Sequence, residues 1–309
     1  MKKAVITGVT GFIGSALAKR LLADGVQVYG VGRDMLKMAS LCEFANFHPV
    51  EADFQKYGIL YKLMPDGVID VFYHFAWDGT FGDAFKNYPL QLANAHYSCD
   101  AVGQAVKMGC NKFVYAQTYN YYEIKSFINS AVFSPRYTCI YSAAKTCAEL
   151  IMKTIACNSG LDFCSGAICM SYGENNKSRM LPNIVLEKLL KNERPKLIEG
   201  NNLYDLIYIS DIVEAFVALG EYGVDKKTYY VGHRKLKTFK EWMIGMRDIV
   251  SPELGLVFGE YRDDQQIDYS QIDLDSLYND TGFECKADFR ESIVNTAKWL
   301  GNYIENNNQ

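Results

Sequence analysis

The chain has 309 residues, with 32 basic and 36 acidic side chains, a formal net charge of −4 and 49% hydrophobic residues. A chain of this length can bury roughly three quarters of the surface that it exposes when unfolded, enough for one extended domain or one domain and a smaller partner. The acidic balance and the lack of a long basic run argue against a nucleic-acid-binding protein.

The first half of the chain alternates β-branched runs with helical patterns, which predicts parallel strands joined by crossover helices. Strands are expected at 3–7, at 26–31, in a segment ending at 50–53, at 69–75, at 112–116 and at 162–170. Helices are expected at 12–23 and near 35–44, 54–64, 88–109 and 139–158. This order predicts an α/β fold with a doubly wound parallel sheet of the Rossmann type.

After Gly173 the sequence becomes rich in Asn, Lys, Arg and Pro, which predicts a smaller C-terminal lobe with short elements. Residues 206–231 carry a strand and helix pattern that returns to the main sheet. The predicted division is therefore 1–172 plus about 206–236 for the sheet domain, and about 173–205 plus 237–309 for the lobe.

Cysteine usage and hydropathy indicate a reducing compartment. The nine cysteines form no C-x-x-C motif and stand at irregular spacing, which predicts reduced core thiols rather than disulfides or a metal site. Met1-Lys2-Lys3 leads directly into a strand-like segment, and no 18-residue apolar run occurs. We therefore expect a cytoplasmic protein with no membrane partner, no nucleic-acid partner and no metal.

A glycine-rich segment, Thr7-Gly8-Val9-Thr10-Gly11-Phe12-Ile13-Gly14, lies between the first predicted strand and the first helix. Glycines there allow a tight turn and a close approach of backbone N–H groups to a diphosphate. The spacing is G-x-x-G-x-x-G, and a purely structural turn is the alternative. The position favours a bound dinucleotide, contacted by Gly8, Thr10, Gly11, Phe12, Ile13 and Gly14.

The end of the second strand bears on the choice between NAD and NADP. An acid there would accept hydrogen bonds from the ribose 2′-hydroxyl of NAD, but Gly32-Arg33 stands at this position. Arg33 can bind a 2′-phosphate, whereas Asp34 leaves NAD open, so NADP is the preferred prediction. Asp53 follows the third strand, where it can contact the adenine or cap the helix that starts at Phe54.

Tyr141 and Lys145 form a Y-x-x-x-K pair. Chance alone predicts roughly 1.6 such pairs, and the sequence holds three. Only Tyr141 opens a long apolar-periodic helix, where residues four apart share a face. A lysine ammonium can lower the pKa of a phenol from about 10 towards 7, which requires roughly 4 kcal/mol and prepares it for acid–base catalysis. Thr118, which follows the fifth strand, can bind a substrate carbonyl or simply end the strand.

Several motifs together resemble the extended short-chain dehydrogenase/reductase family over essentially the whole chain. They are T-G-x-x-G-x-x-G at 7–14, H-x-A at 74–76, Thr118, Y-x-x-x-K at 141–145, Ser171-Tyr172-Gly173 and Tyr208-Ile209-Ser210-Asp211. Within this family the chain is similar to the NAD(P)-dependent nucleotide-sugar epimerases, dehydratases and 4-keto reductases.

The resemblance implies that the sheet domain binds NAD(P) and that Thr118, Tyr141 and Lys145 are the catalytic residues. It also implies a homodimer through the helices near 88–109 and 139–158. The cofactor contacts that it adds to the glycine turn, Arg33 and Asp53 are Phe54, Phe75, Ala76, Asn94, Tyr141 and Lys145.

Departures from the family pattern bear on the substrate. Gln117-Thr118-Tyr119-Asn120 stands where the 4,6-dehydratases carry Thr-Asp-Glu, which argues against dehydration. Tyr204 stands where many members carry an arginine for the substrate diphosphate, so other cations must contact it: Arg262, Arg179 or Lys177. Trp77 lies in a run that resembles deoxysugar 4-keto reductases and is expected to wall the sugar pocket or to pack the lobe. The predicted substrate-binding residues are Trp77, Thr118, Arg179, Tyr204 and Arg262.

These features predict an NADP-preferring oxidoreductase that reduces a 4-keto group of a nucleotide-linked deoxysugar, with NAD as the alternative cofactor. Hydride would pass from the nicotinamide to the carbonyl carbon, and Tyr141 would donate a proton to the oxygen. One alternative is an NAD-dependent nucleotide-sugar 4-epimerase. Another is a non-catalytic NAD(P)-sensing regulatory protein, against which the Tyr141/Lys145 pair argues.

Overall fold

The computed structural model describes residues 1–65, 67–130, 134–262 and 267–307. The strands are β1 (Lys3–Thr7), β2 (Gln27–Gly32), β3 (Phe47–Glu51), β4 (Val71–His74), β5 (Lys112–Thr118), β6 (Asp162–Ile168), β7 (Met170–Tyr172), β8 (Leu203–Tyr204), β9 (Leu206–Tyr208), β10 (Thr228–Val231) and β11 (Lys237–Thr238). The α-helices are α1 (Phe12–Ala23), α2 (Tyr88–Lys107), α3 (Tyr121–Asn129), α4 (Cys139–Ser159), α5 (Leu181–Leu190), α6 (Ile209–Tyr222), α7 (Phe239–Val250), α8 (Ser276–Thr281) and α9 (Phe289–Asn307).

Seven parallel strands form the main sheet in the order β10-β6-β5-β4-β1-β2-β3. Helices α1 and α6 pack on one face, and α2 and α4 on the other. Because both faces are covered, strands such as Val71–His74 are buried along their whole length. The predicted doubly wound Rossmann-type sheet is thus confirmed, and the carboxyl ends of its strands meet at one edge, where such folds bind ligands.

A third apolar cluster lies outside the main sheet and joins α5, α7 and α9. Leu186, Trp242, Met243 and Leu300 are buried in it. Two short sheets accompany it, one pairing β11 with β8 and one pairing β7 with β9. The division of the chain into a sheet domain and a lobe at the expected boundaries stays a prediction.

The structure differs from the expected elements in three places. The expected helices near 35–44 and 54–64 are instead short 3-10 helices at Leu36–Met38 and Phe54–Leu63. The expected strand 162–170 divides at Cys169, whose N–H donates to the Val231 carbonyl (3.1 Å), and the chain then leaves the sheet as β7. Helix α3 (Tyr121–Asn129) replaces a segment that was expected to be a turn or loop.

All nine cysteines are free. The prediction that they are core thiols is wrong for three of them, because Cys42, Cys147 and Cys157 are exposed. Across the described ranges, no helix has the length and apolar character of a membrane span. The same ranges hold no group of three or more His, Cys, Asp or Glu side chains that could bind a metal ion.

Packing of α6 on the sheet depends on Gly220, because a Cβ built there would lie 1.9 Å from the Tyr73 hydroxyl. Tyr73 is fully buried and cannot swing away. We predict that Gly220→Ala lowers the free energy of unfolding by about 1–3 kcal/mol in urea denaturation. Gly301→Ala in α9 is the matched control, since its Cβ meets no atom within 4 Å and should leave stability unchanged or raise it by about 0.5–1 kcal/mol. Equal effects of the two substitutions would contradict this packing constraint.

Candidate active site

The turn between β1 and α1 brings backbone segments unusually close together. Gly8 has a φ of 70°, and a Cβ built there would lie 2.8 Å from the Ala76 nitrogen. A Cβ at Gly14 would lie 2.3 Å from the Gly8 carbonyl oxygen. Any larger residue at these positions would therefore displace the turn.

The first turn of α1 presents its N–H groups without a capping side chain. Gly11 stands at the N-cap, no side chain bonds there, and the first turn holds no acidic residue. The turn opens on a cleft of about 660 Å³. Because a helix N-terminus offers unpaired N–H donors and a partial positive charge, this cradle fits a diphosphate. The predicted cofactor-binding residues that line the cleft are Gly8, Thr10, Gly11, Phe12, Ile13, Gly14, Phe75, Tyr141 and Lys145.

Thr118, Tyr141 and Lys145 meet in the same cleft, at the carboxyl end of β5. The Tyr141 and Thr118 side chains both face this cleft. One helical turn further along α4, the Lys145 ammonium donates to the Ala116 carbonyl (2.7 Å) and to the Tyr115 hydroxyl (3.2 Å). The three residues that the resemblance implies to be catalytic are thus neighbours, and their catalytic role stays a prediction.

Burial dominates the protonation of Tyr141 and Lys145. Burial raises the pKa of Tyr141 above its usual value, and the neighbouring Thr118 hydroxyl opposes this rise only in part. Burial lowers the pKa of Lys145 to about 7, against the charge of Glu149. The expectation that the Lys145 ammonium lowers the phenol pKa towards 7 is therefore wrong for this structure, because burial raises the pKa of Tyr141 instead. A protonated phenol is suited to donating a proton.

A buried polar network lies behind Lys145 and was not found in the sequence. The Glu149 carboxylate accepts hydrogen bonds from Gln117 (2.7 Å), Ser165 and Thr228 (2.6 Å), and forms an ion pair with Lys153 (2.9 Å). These bonds join α4 to β5, β6 and β10. A possible sequence signal was the i, i+4, i+8 series of Tyr141, Lys145 and Glu149 on one helix face.

Trp77 forms a wall beside the two α4 side chains. Its ring lies edge-on to Tyr141, with 6.1 Å between centroids, and the Lys145 Nζ lies 4.3 Å from its ring centroid. The indole N–H donates to Gln91 (2.7 Å), a fully buried residue of α2. The Gln91 amide also donates to the Gly79 carbonyl (3.0 Å). The wall is therefore held from α2 by buried hydrogen bonds.

Asn94, a predicted cofactor contact, binds the loop instead of lining the cleft. Its Oδ1 accepts from the Asp78 N–H (2.9 Å), and its Nδ2 donates to the Asp78 carbonyl (2.8 Å). Ala76, also a predicted contact, packs beneath the glycine turn against Gly8. Both residues therefore shape the cleft from behind in this structure.

His74 of the H-x-A motif is part of the scaffold. Its Nδ1 bonds Thr7 Oγ1 (2.7 Å), and its Nε2 bonds Ser98 Oγ (3.0 Å). The Ala76 N–H donates to Thr7 Oγ1 (3.4 Å), and Ser98 donates to the Asn94 carbonyl (2.8 Å). This chain of bonds assigns the Nε2–H tautomer. Burial, with help from Lys145, lowers the pKa of His74 to about 3, so the ring is neutral.

The remaining predicted cofactor residues lie beside the cleft. The Asp53 carboxylate accepts from the Lys56 N–H (3.2 Å) and caps the 3-10 helix. Phe54 stacks on Tyr97 with 5.1 Å between ring centroids. The Arg33 side chain is 71% exposed and lies 3.7 Å from the Asp78 carboxylate. The alternative role of Asp53 as a helix cap is thus present in the structure.

Some of the predicted substrate residues line the cleft and others lie outside it. Trp77 and Thr118 line the cleft, whereas Arg179 and Arg262 are exposed residues outside its lining. Tyr204 is 8% exposed and packs edge-on against Phe239 in the third apolar cluster. Lys177, the third candidate cation for the substrate diphosphate, does line the cleft. Lining residues that were not predicted include Lys19, Lys37, Ser40, Phe85 and Asn176.

A buried lysine with a lowered pKa makes stability depend on pH. The unfolded state binds more protons than the folded state between about pH 7 and pH 10, so stability rises with pH there. Lys145→Met removes this gain. We therefore predict a change in one difference, the free energy of unfolding of Lys145→Met minus that of the native chain. This difference should fall by about 1–3 kcal/mol between about pH 6.5 and about pH 9, as measured by urea denaturation.

The matched control is Lys298→Met, at an exposed position of α9, whose effect should not change with pH. Taking the difference between two pH values removes the constant cost of the lost hydrogen bond to Ala116. A pH-independent effect of Lys145→Met would mean that the amine titrates outside this range.

Comparisons with known proteins place the chain in a family. The model of the NAD dependent epimerase/dehydratase family matches residues 4–232. CDP-abequose synthase of Yersinia pseudotuberculosis is 24% identical, over 85% of this chain and 90% of that protein. A trifunctional UDP-glucose 4,6-dehydratase/UDP-4-keto-6-deoxy-D-glucose 3,5-epimerase/UDP-4-keto-L-rhamnose-reductase of Arabidopsis thaliana is 25% identical, over 96% of this chain but 47% of that protein.

Solved structures show the same fold. The UDP-glucuronic acid 4-epimerase of Bacillus cereus, in complex with UDP-glucuronic acid and NAD, superposes with a TM-score of 0.77 at 18% identity, covering 97% of this chain and 99% of that one. The UDP-glucose 4-epimerase of Thermotoga maritima gives a TM-score of 0.76 at 19% identity, covering 98% and 99%. With its glycine turn, its Tyr141/Lys145 pair and a family match over most of its length, the chain belongs to the NAD dependent epimerase/dehydratase family, the extended short-chain dehydrogenase/reductases.

Proposed function

We propose that the protein reduces a 4-keto group of a nucleotide-linked deoxysugar, with Tyr141 as the proton donor. The observation that carries this proposal is that Tyr141, Thr118 and Lys145 line the same cleft as the glycine turn. A bound nicotinamide cofactor would supply hydride to the carbonyl carbon. Names of relatives that include a 4-keto-sugar reductase support the same reaction.

In this reaction the chain positions the carbonyl oxygen and supplies its proton. Thr118 and Tyr141 both offer hydroxyl groups to that oxygen, and the phenol gives up its proton as negative charge develops there. The phenolate that remains lies one helical turn from the Lys145 ammonium, whose charge opposes the cost of the buried anion. Glu149 favours the charged form of Lys145 and so supports this state.

The substrate end of the cleft supports a sugar without a charged ring substituent. Trp77, Phe81 and Phe85 provide aromatic walls, and Met170 and Met180 add apolar surface. Aromatic and methionine surfaces suit the methyl group of a deoxysugar better than a carboxylate. Lys177 is the cation that lines this end, and we propose that it contacts the nucleotide diphosphate. Tyr204, Arg179 and Arg262 stay predictions as substrate contacts.

The adenosine end of the cleft supports NADP as the cofactor. Arg33 follows β2 with its side chain largely exposed, and Lys37 and Ser40 line the cleft nearby. Asp34, the acid that would favour NAD, accepts a hydrogen bond from the Leu36 N–H (3.0 Å) and lies 3.5 Å from the Lys37 ammonium. An acid that is already engaged is less available to a ribose 2′-hydroxyl, whereas the cations suit a 2′-phosphate.

We predict that Arg33→Ala weakens NADP binding about tenfold and leaves NAD binding unchanged, because a charge-assisted contact to the 2′-phosphate is lost. Equilibrium titration of cofactor fluorescence measures both affinities. Arg194→Ala, at an exposed position away from the cleft, is the control and should change neither. If Arg33→Ala weakens both cofactors equally, Arg33 does not select the 2′-phosphate.

We predict that Tyr141→Phe lowers the turnover number by about 10²–10⁴ while cofactor affinity stays within about twofold, because the substitution removes only the proton donor. Turnover is measured as net NADPH consumption with a panel of nucleotide-linked 4-keto sugars. Tyr121→Phe is the matched control. Tyr121 and Lys125 form another of the three Y-x-x-x-K pairs in the sequence, one that chance explains, so this variant should retain activity. A Tyr141→Phe enzyme with native turnover would exclude the proposed donor.

A 4-epimerase is the second candidate, and the names of several relatives favour it. An epimerase oxidises and then re-reduces the same carbon, so it retains NAD and consumes no net NADPH. The same assay therefore separates the two activities. A chain that binds cofactor but turns over no sugar nucleotide would favour a sensing protein.

We also propose that a second copy of the chain covers the outer faces of α2 and α4. Leu92, Leu150 and Ile151 are 56%, 60% and 45% exposed there. Apolar side chains of this size are stabilised when another surface removes them from water. Both helices are the ones through which the resemblance implies a homodimer.

A further inference from the structure

A second cavity of about 250 Å³ lies outside the active-site cleft and shares no lining residue with it. It is bounded by residues of β7 and β9, by the segment that contains β11, and by α7 and the start of α9. None of the residues that the proposed function uses borders it, so the inference below stands independently of that proposal.

The lining of this cavity is basic. Lys235, Lys237 and Lys286 are exposed side chains on its walls, and none lies within 4.0 Å of a carboxylate in the described part of the chain. Asp211 is the carboxylate on the wall, and it already accepts hydrogen bonds from the N–H groups of Lys286 (2.9 Å) and Ala287 (3.2 Å). The cavity is therefore positive in a chain whose net charge is −4.

His233 adds an oriented N–H donor to the same cavity. Its Nδ1 bonds the Asp205 carboxylate (2.8 Å), which also accepts from the His233 backbone N–H (2.7 Å) and from the Tyr230 hydroxyl (2.9 Å). The Asp205 side chain is fully buried. Nε2 has no hydrogen-bond partner in the described ranges, although the side chain lines the cavity. A buried carboxylate thus anchors the ring and leaves its second nitrogen available to a ligand.

The ring carries its charge more readily than an ordinary histidine. Burial acts to lower the pKa of His233, but the hydrogen bond and charge of Asp205, with the charge of Asp211, outweigh it and raise the pKa. Lys237 opposes this rise. The other titratable groups that face the ring across the cavity are Tyr172, Tyr208, Lys235, Cys285 and Lys286.

We propose that this cavity is an anion site that binds a phosphate or diphosphate group, contacted by His233 Nε2 and by the ammonium groups of Lys235, Lys237 and Lys286. The Lys237 Nζ lies 4.7 Å from the centroid of the Trp242 ring and 5.5 Å from that of Phe289. The ammonium thus already covers the aromatic wall where a nucleobase would stack. A compact anion with several oxygens therefore fits better than a base or a flat aromatic molecule.

The proposal is tested by calorimetric titration of the full chain, saturated with NADPH, with sodium pyrophosphate and separately with orthophosphate at constant ionic strength. We expect saturable binding with a dissociation constant of roughly 1 mM or below at about pH 6. If pyrophosphate binds with a lower dissociation constant than orthophosphate, the ligand is a diphosphate. Equal dissociation constants identify a single phosphate.

Lys237→Ala/Lys286→Ala should weaken this binding about tenfold, because two exposed charges are lost without disturbing the core. Lys298→Ala is the control for an exposed lysine elsewhere, and Lys177→Ala is the control for the active-site cleft. Lys298→Ala should bind pyrophosphate as the native chain does, and Lys177→Ala should retain the binding step that the double variant weakens. The proposal is overturned if no saturable binding occurs at about pH 6, if the double variant binds as tightly as the native chain, or if Lys177→Ala abolishes binding.

Discussion

The burial of one ammonium group, that of Lys145, constrains the structure around the candidate active site. Its side chain is 5% exposed, and it donates to a backbone carbonyl and a phenol rather than forming an ion pair in the described residues. Transfer of a charge from water into such a place is costly, and the structure offsets the cost with the faces of Trp77 and Tyr115 at 4.3 and 4.5 Å. Glu149 acts from one turn away through its charge.

This arrangement connects the chemistry of the site to its rigidity. Glu149 stays ionised because Lys153 of the same helix and three hydrogen-bond donors surround it, and the three donors come from three different strands of the sheet. Trp77 keeps its place beside Lys145 because Gln91 binds its indole N–H. The charged Lys145 and Glu149 side chains and the Trp77 ring beside them are therefore held by groups on the sheet and on α2. Such rigid elements give the precise positioning that catalysis requires.

A second chain of hydrogen bonds connects the cofactor turn to the substrate wall. It passes from Thr7 through His74 and Ser98 to Asn94, whose amide then binds Asp78 next to Trp77. A neutral His74 suits this chain, because each of its nitrogens bonds one hydroxyl. The glycine turn at the end of β1 and the aromatic wall after β4 thus share one buried scaffold.

Periodicity and glycine placement in the sequence were sufficient to predict the doubly wound sheet and the glycine turn between β1 and α1, whereas the grouping of Thr118 with Tyr141 and Lys145 followed from the family resemblance. These features are local or follow from strand order, because parallel strands bring their carboxyl ends to one edge. The protonation state of Tyr141 was not predictable in this way, since desolvation depends on every segment packed around the phenol. Tertiary structure alone decided that Asp53 caps a helix, that Tyr204 packs in a core and that Glu149 supports Lys145. Tyr204 packs against Phe239, which is distant in the sequence, so residue spacing carries no information about that contact. The Asp53 cap and the Lys145–Glu149 pair are local, and their spacing allows these roles, but burial and hydrogen bonding in the folded chain decide them.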